Sequence, residues 1–111
     1  MPKDRLSQIF AALADPTRRA ILARLLEGDA TVSELVDLVA ISQPAVSKHL
    51  KVLEAAGLIT RNQSAQWRSS SLDPAPLLEV TAWMQPYRKF WDASLDRLDE
   101  HLKELQTRKQ S

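Results

Sequence analysis

Two capped, amphipathic segments lie in the middle of the chain with almost nothing between them. The first opens at Thr31, which has Glu34 three residues later and so matches a capping box. The second opens at Ser42, a residue type whose side chain satisfies free amides of a first helical turn. Only about Ala40 and Ile41 separate the two segments, and so short a turn forces consecutive helices to cross sharply. The sequence therefore predicts a helix-turn-helix arrangement.

Two further helices are predicted before this pair. Asp15-Pro16 is a helix start, because the carboxylate caps the first turn and Pro loses no needed donor there. Gly28 ends that second helix. The first helix is marked by an apolar stripe at helical spacing, formed by Leu6, Ile9, Phe10 and Leu13.

The pattern changes after Gly57, which ends the fourth helix. Residues 58–61 and 67–72 are β-tolerant runs around the polar tip 62–66, which predicts a hairpin with a loop longer than a two-residue turn. Helix resumes after Asp73-Pro74. Pro86 is predicted to interrupt it, with a last helix from Tyr87 to about Gln106. The expected fold is mainly α with a small β-hairpin wing: one winged helix-turn-helix domain over residues 1–111, with its core and reading head at about 13–72.

The composition excludes several classes of function. The 111 residues include no Cys, which excludes disulfides, thiolate metal sites and a Cys nucleophile. There is no Gly-rich phosphate loop, nucleophile elbow or HExxH motif, so we expect neither an enzyme nor a cofactor. No apolar run reaches the roughly 18 residues that span a bilayer, and the amino terminus lacks a signal-peptide stretch. We therefore expect a cytoplasmic protein with no membrane partner.

The positive charge is concentrated in one region. The whole chain has a net charge of only +1, yet residues 42–72 hold four basic side chains, Lys48, Lys51, Arg61 and Arg68, against the single acid Glu54. Such a local excess is typical of a surface that binds nucleic acid.

Helix four carries its polar and basic side chains on the face opposite its apolar side chains. Val46, Leu50 and Leu53 are predicted to face inward, and the opposite face carries amide, hydroxyl and ammonium groups that hydrogen-bond to base edges or phosphates. The alternative interpretation of this face is an ordinary solvated helix surface. The hairpin has arginines at its root and uncharged hydrogen-bonding groups at its tip, as a wing on DNA requires. The predicted DNA-binding residues are Ser42, Gln43, Ala45, Ser47, Lys48, His49, Lys51, Arg61, Gln63, Gln66 and Arg68.

The last predicted helix carries an apolar seam with steps of four and three residues, which is coiled-coil spacing; it consists of Trp91, Leu95, Leu98, Leu102 and Leu105. Four aromatic residues cluster near its start: Trp83, Tyr87, Phe90 and Trp91. They indicate either core and self-association surface, which we favour, or a pocket for a small apolar effector. His101 has Asp96 and Asp99 nearby but not at i, i+4 spacing, so metal binding is not expected.

The run from Leu13 to Ile59 closely resembles the ArsR-type winged helix-turn-helix repressors. The matching motifs are DPTRR at 15–19, SQPAVSKHL at 42–50 and LEAAGLI at 53–59. The segments YRKFW at 87–91 and LDRL at 95–98 resemble a subgroup of that family that does not sense metal. With the hairpin and the last helices, the resemblance extends over nearly the whole chain.

The resemblance implies a homodimer in which helices at about 3–13 and 75–106 pair across a two-fold axis. It implies two recognition helices on an inverted-repeat operator in double-stranded DNA, and repression of a promoter, often the protein's own. His49 matches the family's recognition-helix histidine, which contacts phosphate or supports the helix. Metal sensing is not implied, because no Cys pair precedes the recognition helix and His101 has no second His beside it. The implied dimer interface consists of Leu6, Ile9, Phe10, Leu13, Trp91, Leu95, Leu98 and Leu102.

Two alternatives to a plain DNA-binding repressor remain open. One is a repressor released by an effector, a small molecule or a metal, whose identity the sequence does not give. The other is a protein-interaction module that retained the fold without binding DNA, for which DNA affinity would not depend on salt.

Overall fold

The computed structural model describes residues 4–63 and 68–110. The chain divides into two compact units, Met1–Glu79 and Val80–Ser111. The elements in chain order are α1 (Arg5–Leu13), α2 (Pro16–Leu25), β1 (Ala30–Thr31), α3 (Val32–Val39), α4 (Gln43–Ala55), β2 (Ile59–Asn62), β3 (Ser69–Leu72) and α5 (Ala75–Gln110). The mainly helical fold with a small β wing is confirmed.

The predicted helix starts are confirmed by their caps. Thr31 Oγ1 accepts from Glu34 N at 3.2 Å, and Glu34 Oε1 accepts from Thr31 N at 3.2 Å, which completes the capping box of α3. Ser42 Oγ accepts from Ala45 N at 3.3 Å at the start of α4. These caps satisfy amides that have no partner inside the helix.

The turn between α3 and α4 rests on one left-handed residue. Ala40 has φ 56° and ψ 38°, and its N–H donates to Val36 O at 2.9 Å. An αL residue ends a helix within one step and redirects the chain, which is why two residues suffice before Ser42 caps α4. This turn sets the crossing of the two helices.

A second left-handed residue ends α4. Gly57 has φ 76°. Its N–H donates to Glu54 O at 2.9 Å, and Leu58 N donates to Leu53 O at 3.0 Å, which is the Schellman pattern. The chain therefore leaves α4 directly into β2.

The sheet has three antiparallel strands in the order β1-β3-β2. In the β2–β3 hairpin, Ile59 pairs with Leu72 and Asn62 with Ser69. The predicted hairpin is confirmed: β2 is shifted by one residue from the predicted bounds, and β3 begins at Ser69 and, as predicted, ends at Leu72. Most of the predicted tip, including Gln66, lies outside the described residues. The sequence did not predict β1, which pairs with β3 over only Ala30 and Thr31.

The core of the first unit joins its helices to the sheet. Its fully buried large side chains are Ile9, Ile21, Leu35, Val46, Leu50, Leu53, Leu58 and Ile59. Ile9, a predicted dimer-interface residue, has no exposed side-chain surface in the protomer and packs inside this core, and its place in a dimer interface stays a prediction. Phe10, the next residue on α1, is 38% exposed.

The expected interruption at Pro86 is wrong. A single α-helix of 36 residues, α5, runs through this position. Proline removes one backbone hydrogen bond and crowds the carbonyl four residues earlier, which either kinks a helix or breaks it. No helix among the described residues is both long and apolar enough to cross a membrane.

Candidate nucleic-acid interface

The outer face of α4 gathers most of the side chains predicted to contact DNA. Val46, Leu50 and Leu53 are fully buried on the inner face. Away from that face, Ser42, Gln43, Lys48 and Lys51 are exposed, and Ala45, Ser47 and His49 are half-buried. With 3.6 residues per turn, one helix thus separates its aliphatic side chains from its ammonium and amide groups. The exposed groups are those that hydrogen-bond to base edges and phosphates.

The first turn of α4 contains no acidic residue. Pro44 has no N–H to satisfy, and Ser42 Oγ caps the amide of Ala45. The partial positive charge at this helix end is therefore not neutralised by a carboxylate, which favours an approaching anion such as a phosphate.

Asp15 fixes the turn that precedes α2. Its Oδ1 accepts from Thr17 N at 2.8 Å and from Arg18 N at 3.1 Å. The pKa of the Asp15 carboxyl is held below its usual range chiefly by the Arg18 amide. The Thr17 amide and the positive charge of Arg18 lower this pKa further, and the partial desolvation of the carboxyl opposes them without reversing the shift.

Two arginines of this turn cap the end of α1. Arg18 Nε donates to Ala12 O at 2.7 Å and Arg18 Nη2 to Ala11 O at 3.0 Å. Arg19 Nη1 donates to Leu13 O at 2.7 Å. The last carbonyls of a helix have few partners within it, so the two guanidinium groups supply donors to Ala12 O and Leu13 O, while Ala11 O also accepts from Ala14 N at 3.3 Å.

Arg18 also reaches α4. Its Nη1 lies 3.3 Å from Nδ1 of His49, which is half-buried. In the sequence, Arg18 is recognisable only as part of the motif at 15–19, and that pattern does not place it beside the recognition helix. Thirty-one positions separate the two residues, so no periodicity in the sequence relates them.

The root of the wing brings three predicted DNA-binding residues together. Arg61, Gln63 and Arg68 line one small polar recess with a volume of about 30 Å³. Arg61 is half-buried in β2 opposite Ser70, and Gln63 and Arg68 are exposed. Arg68 O accepts from Val32 N at 3.3 Å, which ties the wing root to the start of α3. The two arginines of the wing therefore lie where the backbone of the wing is hydrogen-bonded to the start of α3.

In the second unit, α5 exposes a row of large apolar side chains. Trp91, Leu95, Leu98 and Leu102 are 45–60% exposed, although all four are predicted interface residues. Trp83 and Tyr87 pack on each other, with ring centroids 5.2 Å apart. On α1, Leu6 and Leu13 are half-buried.

Residues 15–61 match the family model described as "Bacterial regulatory protein, arsR family". The chain is also 42% identical over 86 residues to the HTH-type transcriptional regulator Rv2034 of Mycobacterium tuberculosis, which covers 78% of this chain and 78% of that protein. The chain belongs to the arsR family. The structure is also similar to a crystal structure of the ArsR family transcriptional regulator RHA00566, with a TM-score of 0.74 and 39% sequence identity. The match covers 80% of this chain and 98% of that one. The transcriptional repressor SdpR of Bacillus subtilis is 35% identical over 79 residues, 71% of this chain and 88% of that protein.

This arsR-family protein is thus a winged helix-turn-helix transcriptional regulator, and its family and named relatives are regulators of transcription rather than enzymes. The matched residues include α2, α3, α4 and the start of β2, and therefore every predicted contact residue of α4. Helices α1 and α5 lie outside the matched range.

No three His, Cys, Asp or Glu side chains come together as a metal-binding group within residues 4–63 and 68–110. His101 is exposed on α5. The expectation that this arsR-family member binds no metal stays a prediction.

Proposed function

We propose that the protein is a dimeric repressor that binds an inverted-repeat operator in double-stranded DNA, including one at its own promoter. Helix α4 of each protomer enters the major groove, and the wing lies along the neighbouring backbone. No metal cofactor takes part. The protein acts in the cytoplasm, where the promoter DNA is.

The observation that carries this proposal is the outer face of α4. Gln43, Lys48 and Lys51 are exposed on a helix whose opposite side is fully buried, so the helix can approach DNA without moving the core. Gln can pair with both exposed groups of adenine, and Lys with guanine or phosphate. Arg61 and Arg68 at the wing root add two cations that can contact phosphates.

The exposed seam on α5 supports the dimer. A row of leucines and a tryptophan at alternating steps of four and three is self-complementary, because the same row on a second copy fills the holes between its side chains. Apolar rows of this kind are rarely left in water. A two-fold dimer presents two α4 helices to two half-sites about one helical turn of DNA, roughly 34 Å, apart.

Two substitutions on α4 test the proposal. The operator is first selected from random duplexes and from the DNA upstream of the gene. Lys48→Ala and Gln43→Ala should each weaken binding by about 1–3 kcal/mol per half-site in fluorescence anisotropy, with the dimer intact. Lys103→Ala is the matched control, because it removes one exposed ammonium group from α5, where Lys103 pairs with Asp99 at 3.4 Å. Full operator affinity in both α4 variants would show that α4 is not the reading helix.

A further inference from the structure

Arg18 is the one described side chain that hydrogen-bonds to the end of α1 and to α4 at once. Two of its nitrogens are occupied by the carbonyls of Ala11 and Ala12, and the third lies 3.3 Å from His49 Nδ1. Its own backbone is fixed as well, because Arg18 N donates to the Asp15 carboxylate. The guanidinium is therefore held on one side by α1 and on the other side reaches the imidazole.

The chemistry of this contact decides which nitrogen of His49 carries the proton. A guanidinium is always protonated and has only N–H donors, so a hydrogen bond from Arg18 Nη1 requires Nδ1 to be an acceptor. A neutral imidazole with an unprotonated Nδ1 has its proton on Nε2. Arg18 thus selects the tautomer in which Nε2–H is a donor.

We propose that Arg18 is a positioning residue for DNA binding: through His49 it fixes α4 against α1 and keeps the His49 Nε2–H available to a DNA phosphate. This inference rests on the proposed function. His49 lies between Lys48 and Leu50, next to the exposed cation and half-exposed itself, which places its ring at the edge of the reading face. Because the His49 Nε2–H is already held in the required tautomer, its contact with a phosphate does not carry the entropic cost of ordering the donor.

The charged groups facing His49 are consistent with this role. From the α2 side these are the Arg18 guanidinium and the Asp15 carboxylate. Asp15 is engaged by two backbone amides, so it holds the turn in place and leaves Nδ1 to Arg18.

The tautomer can be read directly in the free protein. Long-range ¹H–¹⁵N spectra at about pH 8, where an ordinary imidazole is neutral, should show His49 protonated on Nε2. Arg18→Ala should shift His49 toward a mixture of tautomers, and the spectrum of the exposed His101 should stay unchanged as an internal control. A His49 ring protonated on Nδ1 in the parent chain would overturn the proposal.

A double-mutant cycle measures the effect on DNA. Arg18→Ala should weaken operator binding about 5- to 10-fold in the parent chain and less than about 2-fold in a His49→Ala background, since residues coupled through one contact are not additive. Equal losses of operator affinity in both backgrounds would show that Arg18 only caps α1, and would overturn the proposal.

Arg19→Ala is the matched control for this cycle. It too removes a guanidinium that caps α1, at Leu13 O, but it has no described contact with α4. Arg19→Ala should lower thermal stability without lowering operator affinity.

If Arg18→Ala does not fold, His49→Asn replaces it. The Asn carbonyl can accept from Arg18 but supplies no Nε2 donor, so the melting temperature should be retained and operator affinity lost. Retention of full affinity in His49→Asn would count against the proposal, whereas a parent chain that binds no specific duplex would instead refute the proposed function.

Discussion

Leu98 lies at the centre of the α5 seam, and 53% of it is exposed in the protomer. Burying a whole leucine side chain stabilises by about 1.5–3 kcal/mol, so covering the exposed half contributes about 0.8–1.6 kcal/mol. A two-fold dimer contains this leucine twice, which gives about 1.6–3.2 kcal/mol. Leu98→Ala removes most of that contribution. Because 1.4 kcal/mol is a tenfold change, the dimer Kd should rise about 10- to 100-fold.

Sedimentation equilibrium over a range of chain concentrations measures this Kd. Leu38→Ala is a matched control, because Leu38 is 50% exposed but lies on α3, outside the seam. It should leave the dimer Kd unchanged. A Leu98→Ala dimer within about threefold of the parent, or an equal effect of Leu38→Ala, would refute the assignment of the seam to the dimer. Leu98→Glu, which puts a charge into the interface, should abolish both the dimer and operator binding.

Two further predictions concern stability. Gly57→Ala should lower the free energy of unfolding by about 1–2 kcal/mol in urea titrations, because φ is +76° while the new Cβ meets only ordinary contacts, Arg5 Nη2 and Pro76 Cγ at 3.5 Å. An unchanged urea midpoint would contradict the strain argument. The lowered pKa of Asp15 stabilises the fold above the unfolded pKa, so stability should fall as the pH drops below about 4. Asp15→Asn should flatten this dependence in urea titrations at several pH values, and an equally steep curve would contradict it.

The helix starts could be predicted from the sequence because capping is local chemistry. Thr31 and Glu34 are three residues apart, and Ser42 lies directly before the helix it caps. The short turn between them required no knowledge of the tertiary structure. The inner and outer faces of α4 followed from helical periodicity alone, since every third or fourth residue faces the core.

Other features depend on tertiary contacts that leave no periodic signal. Strand β1 is two residues long and exists through its pairing with β3. The side chain of Ile9 belongs to the same stripe as that of Phe10, and only the packing of the protomer decides that Ile9 is internal. The contact between Arg18 and His49 joins residues from two separate helices.

Pro86 shows the limit of a local rule. A proline within a helical pattern predicts a boundary because it lacks an N–H, yet α5 continues past it to Gln110. A proline in a helix interior costs about 3 kcal/mol, so the residues on both sides of it must together offset that cost for the helix to continue. The rule therefore marks where a helix is weakest, and neighbouring residues decide whether it ends there.

The central claim is that a dimer presents two basic reading faces to an inverted repeat. The most direct test is fluorescence anisotropy with the selected operator and with a duplex in which one half-site is scrambled, each over a range of salt concentrations. Four basic side chains per protomer, Lys48, Lys51, Arg61 and Arg68, predict a slope of log affinity against log salt of about −4 to −7 for the intact operator. They also predict a large loss of affinity for the scrambled half-site. An affinity that does not depend on salt, or equal binding to both duplexes, would contradict the account.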